Sequence, residues 1–256
     1  FTLILPWVKL GITNNMITKN QIKLIKSLRL KKNRIQSGFF VAEGEKIVDE
    51  LIESDLNSIN IFSTSEKYKN LKNHISINST QLKQISNQKS PNNVVGIFKI
   101  PKDQEIDFNA NIVALEEIND PGNLGTIIRL CDWFGIKNII CSSNSVDCYN
   151  PKVIQASMGS ICRVNISYMD FQKLLDGKNY NTVAADLEGQ NLRDFNFSEN
   201  QIIFFGSESN GFSKKLSSQF DHNITIQRYN DNVESLNLAT SVGIILSELK
   251  SQITGK

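Results

Sequence analysis

From residue 112 to residue 226 the chain repeats one pattern: a short, mostly apolar run, then a helical stretch, then another run. The runs are Ile112–Leu115, Asn138–Cys141, Thr182–Ala185, Ile202–Phe205 and Ile224–Ile226. Continuous apolar runs suit strands covered on both faces, and the helices between them supply the crossovers. The pattern predicts an α/β fold with a mainly parallel sheet. In such a sheet ligands bind beyond the carboxyl ends of the strands. The chemistry is expected in the turns that follow these runs.

Three of those turns carry residues that packing does not require. After Leu115 comes Glu116-Glu117-Ile118-Asn119-Asp120-Pro121-Gly122-Asn123. Pro121-Gly122 reads as a turn and Asn123 as the N-cap of a helix whose buried stripe is Leu124, Ile127, Ile128 and Cys131, ending at Gly135. Arg129, six residues past Asn123, falls about 240° round the helix and off that stripe. A helix start with a guanidinium beside it makes a phosphate site. After Phe205 comes Gly206-Ser207-Glu208-Ser209-Asn210-Gly211-Phe212-Ser213, where two glycines let a ligand approach the backbone. Its spacing is near that of a nucleotide-hydrolase phosphate loop, but Phe212 stands where that loop needs lysine, and the dinucleotide fingerprint lacks its third glycine. After Ile226 a polar stretch leads to Ser235, the expected N-cap of a helix reaching Leu249. Leu238, Val242, Ile245 and Leu249 form one ridge of that helix, and Leu236, Ala239, Gly243 and Leu246 another. Two ridges predict burial on two sides, with Ala239 and Gly243 allowing a close neighbour.

Residues 16–100 read as a separate small α/β unit, joined through the polar, proline-bearing segment Ile100–Glu105 to a second domain spanning 110–256. Thr18 should cap a first helix with Ile22, Ile25 and Leu28 or Leu30 on its apolar side. A strand at Phe39–Ala42, a helix at Lys46–Ile52, and strands at Asn60–Phe62 and Val94–Phe98 follow. Residues 1–110 hold 16 Lys and Arg against 10 Asp and Glu, whereas residues 111–256 hold 12 against 16. The excess concentrates in Lys19, Lys23, Lys26, Arg29, Lys31, Lys32 and Arg34, with no acid between them. A basic front half beside an acidic rear half points to a polyanion held by the front. Lys23, Lys26, Arg29, Lys31, Lys32 and Arg34 are the candidate contacts to that polyanion, which the resemblance given below implies to be RNA.

Four cysteines, Cys131, Cys141, Cys148 and Cys162, include no CxxC pair, and only two histidines accompany them, so no metal site is expected. Reduced, mostly buried thiols in a cytoplasmic protein are the expectation. The opening FTLILPWVKLGI lacks a basic leader and a cleavage site and is too short to span a bilayer. It reads as a start-site artefact or as an arm that packs on a partner, and no membrane association is expected.

In sequence and order these loops resemble the SpoU (TrmH-type) branch of the SPOUT methyltransferases. The first motif of that family matches Asn123, Gly125 and Arg129; the second matches Gly206, Glu208, Gly211 and Ser213; the third matches Ser235, Leu236 and Asn237. Asn150-Pro151-Lys152 with Ala156, Ser157 and Gly159 also fits. The front half is similar to the family's L30e-like substrate-binding domain through Arg34 and Phe40–Lys46. Ser209, Phe212 and Gln227 depart from the family's usual Gly, Leu and Pro. The resemblance implies a C-terminal trefoil knot, a homodimer joined across the spare apolar face of the last helix, and S-adenosylmethionine as cofactor. It further implies methylation of an RNA ribose 2′-hydroxyl, in ribosomal RNA before transfer RNA. A non-catalytic RNA-binding or assembly protein of the same fold is the alternative. Catalytic roles are implied for Arg129, Asn123, Glu208, Ser235 and Asn237, and cofactor contacts for Gly206, Ser207, Gly211, Ile226 and Leu236. A guanidinium holds its proton at physiological pH. Arg129 is therefore read as binding the target phosphate and stabilising the developing alkoxide, with phosphate or water helping to take the proton.

Overall fold

A computed structural model describes residues 17–54, 56–102 and 104–255; the opening segment 1–16 lies outside the described residues. The described chain divides into two compact units, residues 17–102 with 149–162 and residues 104–148 with 163–255.

The first unit runs α1 (Lys19–Ser27), α2 (Lys31–Ser37), β1 (Phe39–Glu43), α3 (Glu45–Glu53), β2 (Ser58–Ser63), β3 (His74–Ser76), α4 (Ser79–Ile85) and β4 (Val94–Lys99). Its sheet has the order β1-β4-β2-β3, antiparallel except for β2 with β3. Ile25, Leu28, Val41, Phe62, Leu82, Ile85, Val95 and Ile97 form a core on one side of it. Thr18 caps α1 as expected, in a reciprocal pair: its Oγ1 accepts from Gln21 N at 3.2 Å and its N donates to Gln21 Oε1 at 2.8 Å.

The single first helix expected from the sequence is two. Leu28 is buried, whereas Leu30 turns extended and stays 54% exposed before α2. That break corrects the reading of Arg34 as an RNA contact. Its side chain is only 2% exposed, and Nη1 donates to the carbonyls of Leu28 at 2.8 Å and Arg29 at 3.0 Å. The last carbonyls of a helix lack intrahelical donors, and a guanidinium has donors to give them. Arg34 joins α1 to α2; Lys23, Lys26, Arg29, Lys31 and Lys32 are exposed.

The second unit carries β5 (Ile112–Leu115), α5 (Pro121–Trp133) and β6 (Asn138–Ser142) before the excursion of α6 (Pro151–Ser157) into the first unit. It continues with β7 (Asn165–Met169), α7 (Phe171–Leu175), β8 (Asn181–Asn191), β9 (Gln201–Phe205), α8 (Lys214–Ser217), β10 (His222–Thr225) and α9 (Leu238–Thr254). All pairs in its sheet, β10-β8-β9-β5-β6-β7, are parallel. Ile112, Ala114, Ile140, Ile202 and Phe204 pack on Phe171, Leu174 and Leu175 of α7 and Leu216 of α8. Elsewhere α5 packs on α9, burying Leu124, Ile127, Ile128 and Cys131 of the first helix and Ala239, Val242, Ile245, Leu246 and Leu249 of the second. Gly243 faces Leu130, but a Cβ on it would stand 3.5 Å from the Leu130 methyls, an ordinary contact, so the close approach expected there does not require glycine.

Strands β5, β6 and β7 step outward in one direction, and β9, β8 and β10 lie on the other side of β5. Strand order therefore reverses between β5 and β9, and their carboxyl ends flank a crevice of the kind that binds ligands in open α/β sheets.

Candidate active site

The turn after β5 is built to deliver a helix start into that crevice. Glu116 N continues the ladder onto Phe205 O at 2.9 Å. Glu117 then takes a left-handed φ of 44°, which costs a non-glycine residue about 1 kcal/mol. Two serines, Ser142 ending β6 and Ser145 just beyond it, hold the turn in place: Glu117 N donates to Ser142 Oγ at 2.7 Å and Ile118 N to Ser145 Oγ at 3.2 Å.

The cap of α5 is Asp120, not Asn123 as expected: Asp120 Oδ1 accepts from Asn123 N at 2.7 Å. Pro121 explains this, because proline suits the first helical position and keeps its predecessor extended. Asn123 falls in the first turn with its side-chain amide released from capping.

The loop after β9 folds back on itself. Ser207 and Gly211 exchange backbone bonds at 2.9 and 3.0 Å, and Ser207 Oγ donates to Gly211 O at 3.2 Å. A Cβ on Gly206 would lie 2.7 Å from the Gly211 carbonyl carbon, so only glycine fits at the neck of this loop. Glu208 stands exposed near its tip.

In the third turn the cap is again displaced from the expected residue. Asn237 rather than Ser235 caps α9: its Oδ1 accepts from Thr240 N at 3.3 Å and its carbonyl takes the first helical bond from Ser241 N at 3.0 Å. Serine and asparagine cap about equally well. Only the amide has a second arm that can donate while the first caps. Ser235 lies exposed two residues earlier.

These turns meet at one side chain. Asn237 Nδ2 donates to Asn123 Oδ1 at 3.0 Å, and Asn123 Nδ2 donates to Glu208 Oε1. A directed chain thus runs from the Thr240 amide through Asn237 and Asn123 to the Glu208 carboxylate. It joins the segments that follow β5, β9 and β10. Arg129 is outside this chain, exposed on α5 and about 9 Å further along the helix axis than Asn123.

Beside the crevice, Glu116 is a group the sequence reading passed over. Its Oε2 is buried with no hydrogen-bond partner among the described residues. Burial, reinforced by Glu117 and Asp170, raises its pKa above the ordinary carboxylate value. Asp120 was also missed, although Asp before Pro at a helix start is a legible cap signal. Burial likewise pushes the Cys131 and Cys141 thiols up, so they stay protonated packing groups. Among the described residues no cluster of three or more His, Cys, Asp or Glu could hold a metal ion. Among them, too, no helix is long and apolar enough to cross a membrane.

Fold and site define an α/β protein whose turns after β5, β9 and β10 are joined side chain to side chain where the strand order reverses. The SpoU rRNA Methylase family matches residues 110–247, and an MRM3-like substrate binding domain matches residues 19–96. The chain belongs to the SpoU rRNA Methylase family. A structure from Porphyromonas gingivalis, ascribed to the TrmH family of RNA methyltransferases, is 31% identical with a TM-score of 0.84, covering 91% of this chain and 98% of that one. An AdoMet-bound rRNA methyltransferase from Sinorhizobium meliloti is 26% identical with a TM-score of 0.83, covering 93% and 97%. The 23S rRNA (guanosine(2553)-2′-O)-methyltransferase RlmP of Bacillus subtilis is 26% identical over 91% of this chain and 97% of its own length.

Proposed function

We propose that this chain is a cytoplasmic methyltransferase that takes its methyl group from S-adenosylmethionine and places it on a ribose 2′-hydroxyl of ribosomal RNA. The observation that carries the reading is the Asn123 amide, which bonds both Glu208 and Asn237 and so gathers three motifs into one site.

The residues around that site suit the cofactor. An adenosyl group needs apolar walls and backbone donors and acceptors. Leu187, Val233 and Leu236 are apolar side chains left 68%, 49% and 46% exposed in the segments that extend past the paired strands. β10 pairs with Val183 and Ala184 of β8, then jumps to Gln190 and Asn191, so the intervening stretch with Leu187 stands out of register. Backbone at Gly206, Ile226 and Leu236 would hold the adenosyl group, with Ser207 and Gly211 keeping the glycine loop closed. When bound, the cofactor supplies an electrophilic methyl carbon on a sulfonium.

The chain's own residues do the rest. Arg129 binds the phosphate beside the target ribose and stabilises negative charge as it develops on the 2′-oxygen. With the cofactor supplying the methyl group, the proton of that hydroxyl would pass to phosphate or water. Asn123, Ser235 and Asn237 orient the ribose, and Glu208 anchors the loop over it. The same reading carries a knotted path after β10 and a homodimer joined across α5 and α9. There a groove of about 620 Å³, lined by Leu130, Phe134, Gly243 and Ile244, faces outward.

The test pairs calorimetry with kinetics. Wild type is expected to bind S-adenosylmethionine and its demethylated product, and Arg129→Lys to bind both as tightly while losing at least about tenfold in kcat. Near-normal methylation by Arg129→Lys would refute the role of the planar guanidinium.

A further inference from the structure

Trp133 is 84% exposed, a large apolar side chain that the fold does not use for packing. It is the last residue of α5, four positions after Arg129. Residues at that spacing are neighbours on a helix face, with Cβ atoms about 5–6 Å apart. Helical side chains lean toward the N-terminus, which carries the indole over the turn that bears Arg129. Leu130, three residues earlier, and Phe134, the next residue, line the apolar groove beside α9, and Trp133 is not among the residues that line it. A contact filling that groove therefore does not by itself explain the exposed ring. Two exposed cations lie near it in sequence, Arg129 one turn earlier and Lys137 just beyond the helix, while the charge of Asp132, the residue before Trp133, is matched by Arg163 at 2.8 Å.

We propose that Trp133 is a stacking platform for an unpaired nucleobase of the RNA substrate, adjacent to the nucleotide whose phosphate Arg129 holds. Proteins recognise single-stranded RNA by stacking splayed bases on aromatic faces while cations track the backbone, and an exposed indole one helical turn from an exposed guanidinium offers both. The inference rests on the RNA-methyltransferase reading above, and it adds that the substrate is unpaired at the base lying over α5.

Trp7 and Trp133 are the two tryptophans of the chain, so Trp7→Phe leaves Trp133 as the single indole reporter. Titrating that variant with a ribosomal RNA fragment is expected to quench its fluorescence, saturating at the RNA concentration that saturates binding in a filter assay. Trp133→Ala should weaken RNA binding by about tenfold, with the loss falling on KM for RNA rather than on kcat. Trp133→Phe should recover most of it, and both variants should bind S-adenosylmethionine as wild type does. Unchanged fluorescence at RNA saturation, or Trp133→Ala binding RNA like wild type, would overturn the proposal. Dissociation of Trp133→Ala into monomers would overturn it in favour of a contact between chains. Binding and quenching are read without methyl transfer, so wild type that quenches but transfers no methyl would count against the activity and not against the platform.

Discussion

The hydrogen-bond chain at the site has a direction, and reversing it is a sharp test of what it does. In Asn237→Asp the cap of α9 survives, because aspartate accepts from Thr240 N as asparagine does. The donor to Asn123 is lost, and an acceptor oxygen now faces the Asn123 carbonyl oxygen across a contact that was 3.0 Å. If the Asn123 amide flips to serve the introduced carboxylate, its oxygen then faces the Glu208 carboxylate. Either way one of two inter-turn bonds is gone, a loss of about 1 kcal/mol. That corresponds to roughly a fivefold weaker grip on any ligand that needs the three turns assembled. Glu208 and Asn237 are exposed and Asn123 only partly buried, so thermal stability should fall by no more than a few degrees. Adding Glu208→Gln supplies the missing donor. The new side-chain amide can donate to the flipped Asn123 oxygen while Asn123 donates to the introduced aspartate, restoring the chain in reverse. Calorimetric titration with S-adenosylmethionine should therefore show weakening in Asn237→Asp, little change in Glu208→Gln, and recovery to within about twofold of Glu208→Gln in the double variant. A double variant no better than Asn237→Asp alone would refute the idea that these bonds assemble the site.

Other outcomes follow from the same structure. Lys31→Ala with Lys32→Ala should weaken RNA binding and lower its salt slope by about 1–2 in a filter assay, since both side chains are exposed. Arg34→Ala should instead cost about 2 kcal/mol of stability in denaturant unfolding, leaving the carbonyls of Leu28 and Arg29 short of a donor. Glu116 holds its proton more tightly folded than unfolded, so it favours the fold while protonated and opposes it once ionised. Glu116→Gln should raise the melting temperature at about pH 7–8, with the gain shrinking as pH falls through the raised pKa of the folded carboxyl and vanishing below its ordinary value of 4.5; a gain independent of pH would contradict this. If the proposed dimer joins across α5 and α9, Ile244→Asp should leave the chain monomeric in sedimentation equilibrium where wild type is dimeric, because Ile244 is 38% exposed in the groove between those helices.

Much of the fold was legible because two-sided burial leaves a strong trace. β5 and β9 are buried at every residue and stand out as unbroken apolar runs. β7 escaped notice because, as an edge strand, its residues are only partly buried and its sequence Asn-Ile-Ser-Tyr-Met is mixed. The far half of β8, polar and exposed from Asp186 to Gln190 apart from Leu187 and Gly189, carries no strand signature and is shaped instead by its register jump against β10. The residues of the three strand-end turns were visible, but their local duties were not. Asn123 and Ser235 are both good cap types, and choosing between them and Asp120 or Asn237 depends on backbone geometry that side-chain preference does not encode. Arg34 illustrates the same limit for charge: a cation in a basic run looks solvent-facing until the helix break that buries it is known.

Where the methyl group goes is the most direct test of the proposed chemistry. Purified protein, tritiated S-adenosylmethionine and ribosomal RNA from cells lacking the gene should yield label at one nucleotide, with the following phosphodiester bond resistant to alkali. Label recovered on a base, or no transfer by protein that is folded and binds the RNA, would contradict it.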